Sequence, residues 1–286
     1  MLMTRRSFIR RSSLALGAAV LAGRSSSPMY ARPLGWPIGF QTWVVRDVLA
    51  KDFKGTLQKM AAMGYQTMEM CSPPEYPDSG FGPLAGLKAA EMRRIIEDSG
   101  LKCESCHYPF EGLKANLDER IAFAKELGLT QMVISSFWMK DDAKLSDWQR
   151  QCDLANQAGE KVRKAGMQLG FHNHHFEVKQ LEGVLIYDAL MARFDPKLVK
   201  MQFQVAVISE GFEAATFFNK YPGRFISMHL ADWSPAEKKA VPIGQGIVDW
   251  KKLFAAAKTG GVKNYFVEMD LPTLKPSCDY LKALEV

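Results

Sequence analysis

The sequence predicts an α/β protein whose strands close into a (β/α)8 TIM barrel, and three observations carry that expectation. Short apolar runs alternate with longer segments of helical period, the pattern of βα units on a parallel sheet. Eight such runs occur, enough to close a barrel. Glycines stand just before the next run at Gly64, Gly100, Gly128, Gly166 and Gly260-Gly261, where a helix C-terminus calls for them. An open doubly wound sheet would show a glycine-rich phosphate turn after its first strand, and Gly35 and Gly39 do not make one.

Taken in order, strands are expected at 37–42, 65–70, 102–107, 131–136, 167–173, 199–205, 225–230 and 264–269. Helical patterns lie between them at Phe53–Met63, Ala89–Ser99, Leu117–Leu127, Ser146–Ala165 and Trp250–Lys258. The last helix is expected to be short, from Cys278 to Leu284, which leaves the final seam of the barrel to a partner subunit and suggests a homo-oligomer. No repeat, linker or composition shift divides residues 32–286, so they read as one domain.

Residues 1–31 read differently. Thr4-Arg5-Arg6-Ser7-Phe8-Ile9-Arg10 resembles a twin-arginine export motif, and Leu14–Ala22 follows as a short apolar run. That run is well below the roughly 20 residues a spanning helix needs. The resemblance implies a signal peptide and a periplasmic or otherwise exported protein; an uncleaved anchor or a disordered arm is the alternative. No cysteine follows Leu21-Ala22-Gly23, so no lipid anchor is expected, and no later stretch is apolar enough to span a membrane. The segment holds five arginines and no acid, so its loss takes the formal charge from +6 to about +1. No basic stripe remains for phosphate backbones, and nucleic acid is not an expected partner.

The five cysteines are scattered. Cys103 and Cys106 form one C-x-x-C whose side chains would leave a strand on opposite faces, so buried free thiols are expected, with one disulfide as the alternative.

In a barrel, functional residues lie at the C-terminal ends of strands. Those ends carry Gln41, Glu69, His107, Ser135, His172 with His174, Gln204, His229 and Glu268, a polar ring with several metal-ligating side chains. Within Gly170-Phe171-His172-Asn173-His174-His175-Phe176-Glu177, period-two alternation puts His172 and His174 on one face, suiting metal binding or acid/base work; histidines satisfied beneath a loop are the alternative. Trp43, Trp138, Trp233 and Phe110 follow strand ends, where an aromatic face stacks on a sugar ring or simply packs.

The segment Phe171–Glu177 resembles the His-Asn-His signature of the sugar phosphate isomerase/epimerase family, a xylose isomerase-like group. So do Tyr221-Pro222-Gly223-Arg224-Phe225, Met228-His229-Leu230-Ala231-Asp232, Gly244-Gln245-Gly246-Ile247-Val248-Asp249-Trp250 and Tyr265-Phe266-Val267-Glu268-Met269-Asp270. The resemblance implies a divalent cation (Mn, Mg, Co or Zn) held by His172, Gln204, His229 and Glu268. Gln204 replaces the usual aspartate and Ala231 the frequent lysine, which implies a weakened or lost metal. The same resemblance implies proton transfer by His174, His107 and Glu69, with Gln41, Trp43, Trp233 and Glu177 against the substrate.

The function expected is a metal-assisted isomerase or epimerase that abstracts a proton next to the carbonyl of a sugar or keto-sugar. The alternatives are a keto-glycoside lyase or hydrolase on the same barrel and a catalytically impaired sugar-binding barrel. Phosphodiester cleavage would need a richer metal cluster than five histidines supply.

Overall fold

Each barrel strand pairs in parallel with the strands that neighbour it in the chain, and the last pairs with the first. The computed structural model describes residues 33–286; the expected signal segment lies outside them. The strands are β1 (Gly39–Gln41), β2 (Thr67–Cys71), β3 (Lys102–Tyr108), β4 (Gln131–Ile134), β5 (Gln168–His172), β6 (Val199–Gln204), β7 (Phe225–Leu230) and β8 (Asn264–Val267). They form one closed barrel, sealed where Gly39 meets Phe266. β4, β5, β6 and β8 stop one or two residues before the sequence pattern does. Glu268 thus lies just past β8.

Eight helices cover the outside: α1 (Phe53–Met63), α2 (Ala89–Asp98), α3 (Leu117–Leu127), α4 (Leu145–Lys164), α5 (Ile186–Arg193), α6 (Ala214–Lys220), α7 (Trp250–Gly260) and α8 (Leu271–Ala283). Local signals set their ends. Asp52 caps α1 by accepting from the Gly55 N–H at 2.8 Å, and Asp249 caps α7 by accepting from Lys252 N–H at 3.0 Å. Gly64, at φ 107°, closes α1 in the left-handed region that a side chain resists.

The short final helix expected from the sequence is corrected. α8 begins seven residues before Cys278, with Pro272 in its first turn, where a missing N–H costs nothing. Pro276 inside the helix hid the pattern. Leu274, Cys278 and Leu281 are buried, Tyr65 Oη donates to the Leu274 carbonyl at 2.9 Å, and Lys282 Nζ donates to the Met63 carbonyl at 2.9 Å. The chain covers its own seam, and the stated reason for a partner subunit falls away.

Apolar side chains such as Phe40, Met68, Met70, Phe171, Phe203, Met228 and Tyr265 are buried in the core. All five cysteines are buried and free. Among the described residues no helix is long and apolar enough to cross a membrane.

Candidate active site at the barrel mouth

Glu69, on β2, is the centre of a polar network that crosses the barrel interior. It is fully buried. Its Oε1 accepts from Ser105 Oγ at 2.6 Å and from Gln202 Nε2 at 2.8 Å; its Oε2 accepts from Gln41 Nε2 at 3.1 Å and from His229 Nε2. Gln202 also donates to Ser227 Oγ at 2.8 Å and accepts from His107 Nε2 at 2.6 Å. Burial opposes the charge on Glu69, but His107 and His229 outweigh it and hold the carboxyl at about 2.

Above this layer three imidazoles converge. The ring centroids of His107, His172 and His229 lie 4.4–5.0 Å apart, and one ring nitrogen from each lies within 4.8 Å of the others. His229 spans two carboxylates: Nε2 faces Glu69, and Nδ1 lies 3.0 Å from Glu268 Oε2. Burial would strip its proton, yet Glu268 and Glu69 outweigh that and raise the imidazole to about 10. Burial likewise opposes the charge on Glu268, and His229 overrides it, holding the carboxyl at about 2. His172 is driven well below its usual value by burial and then by the neighbouring imidazoles. Its Nδ1 is buried with no hydrogen-bond partner. Gln204 turns its amide nitrogen to Glu268 Oε2 at 2.5 Å, while its oxygen accepts from the Ala206 N–H at 3.2 Å.

The rim comes from the segments after β4 and β5. His174 is held near a pKa of about 4 by burial, so it is neutral at pH 7, and its Nδ1 also lacks a partner. Glu177 is completely buried, accepts the His174 backbone N–H at 2.7 Å and receives the Ser136 hydroxyl at 3.5 Å. Burial pushes its carboxyl up to about 8.

The structure therefore brings His107, His172, His229, Glu268, Gln204 and His174 together, and it engages four other expected residues in contacts of their own. Glu69 and Gln41 lie beneath His229, both with no exposed surface, and Gln41 spends its oxygen on the Trp43 N–H at 2.6 Å. Glu177 supports the rim from behind. Trp43 packs on Tyr76, Phe81 and the Arg46 guanidinium. Trp233, half-buried, sits on a hairpin of Asp232–Ser234 with Lys239–Val241. Ser105, Gln202 and Ser227 were not anticipated. A signal existed, since each lies two residues before His107, Gln204 or His229 and so on the same strand face.

Asp232 was also missed as a structural centre. Its carboxylate is buried and accepts from the backbone of Trp233, Gly244, Gly246 and Val248 and from Trp250 Nε1, at 2.9–3.2 Å. A Cβ on Gly246 would lie 2.1 Å from Asp232 Oδ1, so only glycine permits this approach.

A family model described as a xylose isomerase-like TIM barrel matches residues 57–285. The chain belongs to the xylose isomerase-like TIM barrel family. Among curated proteins it is similar to an inosose dehydratase from Lacticaseibacillus casei, 25% identical over 268 residues, covering 82% of this chain and 86% of that protein. Among solved structures it is similar to a sugar phosphate isomerase/epimerase from Parabacteroides distasonis ATCC 8503, with a TM-score of 0.76, 23% identity and coverage of 91% and 96%. A xylose isomerase-like barrel from Mycobacterium smegmatis, solved in complex with magnesium, superposes with a TM-score of 0.62 at 15% identity over 88% of this chain and 97% of that one.

The residues of this xylose isomerase-like barrel fit a divalent cation. His229 Nδ1 and Glu268 Oε2 stand 3.0 Å apart, about the spacing of two donors on one ion with ligand bonds of ~2.1 Å. Glu69 on the opposite ring nitrogen orients the imidazole as a carboxylate behind a metal-bound histidine does. A ring nitrogen each of His172 and His107 lies within 4.8 Å of one of His229, and His172 Nδ1 has no hydrogen-bond partner, so either imidazole could supply a further donor. Gln204, with its oxygen turned to the Ala206 N–H, contributes a hydrogen bond rather than a ligand.

Proposed function

We propose that the protein is a metal-assisted sugar isomerase or epimerase that moves a proton next to the carbonyl of a sugar or keto-sugar. The observation that carries this reading is the convergence of His107, His172 and His229, with Glu268 against His229 Nδ1, beside a neutral His174 whose Nδ1 has no hydrogen-bond partner. His172, His229 and Glu268 would hold the ion, which supplies Lewis-acid polarisation of the substrate carbonyl. His174 accepts the proton α to that carbonyl, being neutral at pH 7 with Nδ1 unpaired. His107, neutral because burial lowers its pKa and donating to Gln202, can donate or accept a proton on the opposite side. The name of the curated relative, inosose dehydratase, supports a small sugar-like substrate.

In D2O with Mn2+, the protein is expected to wash deuterium into the α position of a keto-sugar, and His174→Gln to slow the exchange about 100-fold or more. NMR of the recovered sugar measures it. A protein loaded with metal that exchanges no member of a keto-sugar panel would refute the enzyme reading.

The second reading, a barrel that binds sugar without turnover, is favoured by one observation: Gln204 presents an N–H where a charged ligand would add affinity. Gln204→Asp places a second carboxylate beside Glu268, and two adjacent anions favour a cation. The variant is expected to bind Mn2+ at least tenfold more tightly in calorimetry. If exchange appears only in the variant, the natural chain is the binder.

We carry the export reading with the function, on the motif around Arg5-Arg6. A chain with Arg5→Lys and Arg6→Lys is expected to accumulate as unexported precursor in cell fractionation, and normal export of it would remove the reading.

A further inference from the structure

Glu177 is a buried carboxyl held by neutral donors. It has no exposed surface, and the groups that favour its charge are the His174 N–H, its own N–H and the Ser136 hydroxyl, with no cation among them. A carboxyl buried without an opposite charge opposes folding. Both of its oxygens lead to the mouth. Oε2 accepts the His174 N–H at 2.7 Å. Oε1 accepts the Ser136 hydroxyl at 3.5 Å, and Ser136 Oγ accepts the Trp138 N–H at 3.0 Å. Trp138 is held at φ 48°, in the left-handed region that a tryptophan resists, with its ring centroid 5.3 Å from that of His174. The turn that carries Glu177 is anchored in its own right, because the Glu177 carbonyl accepts the Tyr187 N–H at 2.7 Å in the first turn of α5.

His174 is fixed through its peptide. On the other side Asn173, with no exposed surface, donates from Nδ2 to the His174 carbonyl at 3.4 Å and accepts the Gln204 N–H at 3.1 Å. Among the described residues every hydrogen bond of His174 runs through its backbone, and Nδ1 has none. Packing alone locates the ring. Phe176 stacks on it at 5.2 Å, His172 meets it edge-on at 4.8 Å, and Trp138 closes the third side. A carboxylate that orients a catalytic imidazole ordinarily bonds to the ring itself. Here the carboxyl holds the peptide instead, which leaves both ring nitrogens open to a substrate.

We propose that Glu177 is a positioning residue for proton transfer, setting His174 through its peptide N–H and Trp138 through Ser136 as one unit. It does not touch the substrate. This deepens the proposed function and rests on it for the role of His174, while the clamp stands on hydrogen bonds within the chain. Small displacements matter at such a site, since a shift of about 1 Å costs a factor of roughly 100 in rate.

The test compares two variants of the full chain. Glu177→Met keeps the volume of the side chain and removes both acceptors. Glu177→Gln keeps an oxygen for the His174 N–H and turns an NH2 to Ser136 Oγ. The first readout needs neither substrate nor metal: the nuclear Overhauser cross-peak between the His174 and Trp138 rings in histidine- and tryptophan-labelled protein, assigned with His174→Gln and Trp138→Phe. It is expected in the wild type and in Glu177→Gln. It is expected to be lost in Glu177→Met and in Ser136→Ala, which cuts only the tryptophan arm. The second readout is deuterium exchange of a keto-sugar with Mn2+. Glu177→Met is expected to lower kcat about 100-fold with little change in KM, and Glu177→Gln to recover most of it. A cross-peak unchanged in Glu177→Met, or a loss carried by KM instead of kcat, overturns the proposal. Should Glu177→Met fail to fold, a cross-peak unchanged in Ser136→Ala or lost from Glu177→Gln overturns it equally. A wild type that exchanges no deuterium sinks the proposed function, and the cross-peak still decides the clamp.

Discussion

His229→Gln is expected to cost about 3–5 kcal/mol of stability at neutral pH in EDTA-treated protein, because it removes the one cation facing two carboxylates. Glu69 has no exposed surface, and its partner on the other side of the ring, Glu268, keeps only 19% of its side chain exposed. The loss should depend on pH in a defined direction. Glu69 and Glu268 have folded pKa values lowered to about 2 from 4.5, so their contribution is present above about pH 4.5 and disappears as pH falls toward 2. His229 is raised from 6.5 to about 10, so its contribution is complete below about pH 6.5 and is lost as pH rises through 10. The gap between wild type and variant should therefore peak at about pH 4.5–6.5 and narrow on both sides. Denaturant titrations at pH 3, 5.5, 7 and 9 measure it. A gap that does not change with pH would mean that the three groups do not form one charge cluster.

Asp232→Ala is expected to be comparably severe, by about 3–5 kcal/mol, since five N–H groups lose their shared acceptor. Asp232→Asn should recover little, because its NH2 would face donors where the carboxylate now accepts. Hydrogen exchange over residues 239–249 should rise sharply in both variants, and His229, three residues upstream, should lose affinity for Mn2+. Unchanged protection in that segment would show that the loop is held by other contacts.

The barrel was legible because its signals are local. Alternating periods and the glycine before each strand are written residue by residue, and Gly64, Gly128 and Gly166 each take the positive φ that their positions imply. The mouth residues were legible for the same reason, since a strand end is a position in the chain. What each side chain does there was less so. Glu69 lies in the middle of β2, in register with Gln41 and Ser105, which leaves both Glu69 and Gln41 in the layer below, and only the three-dimensional stagger of the strands decides that. Gln202 and Ser227 were overlooked although period-two alternation marks them. Asp232 follows a strand end and looks like any loop acid until the backbone of 244–248 folds back over it. α8 was misread because Pro276 stands inside it, where proline ordinarily breaks a helix, while Pro272 sits in the first turn that accepts it.

The order of strands around the barrel has a consequence for how the chain acquires its chemistry. Every neighbouring pair but one joins segments close in sequence, and the exception, β1 with β8, must bring together the two ends of the barrel. Such a long-range closure carries the largest loop entropy and is expected to come last in folding. The contact of His229 with Glu69 spans 160 residues, and Glu268 arrives only with β8. A nascent or truncated chain can therefore build most of its helices and strands before the proposed cation site exists. Capture of a transition ion, followed by a Co2+ absorption band during refolding, should lag behind the gain of helical signal and mark ring closure itself.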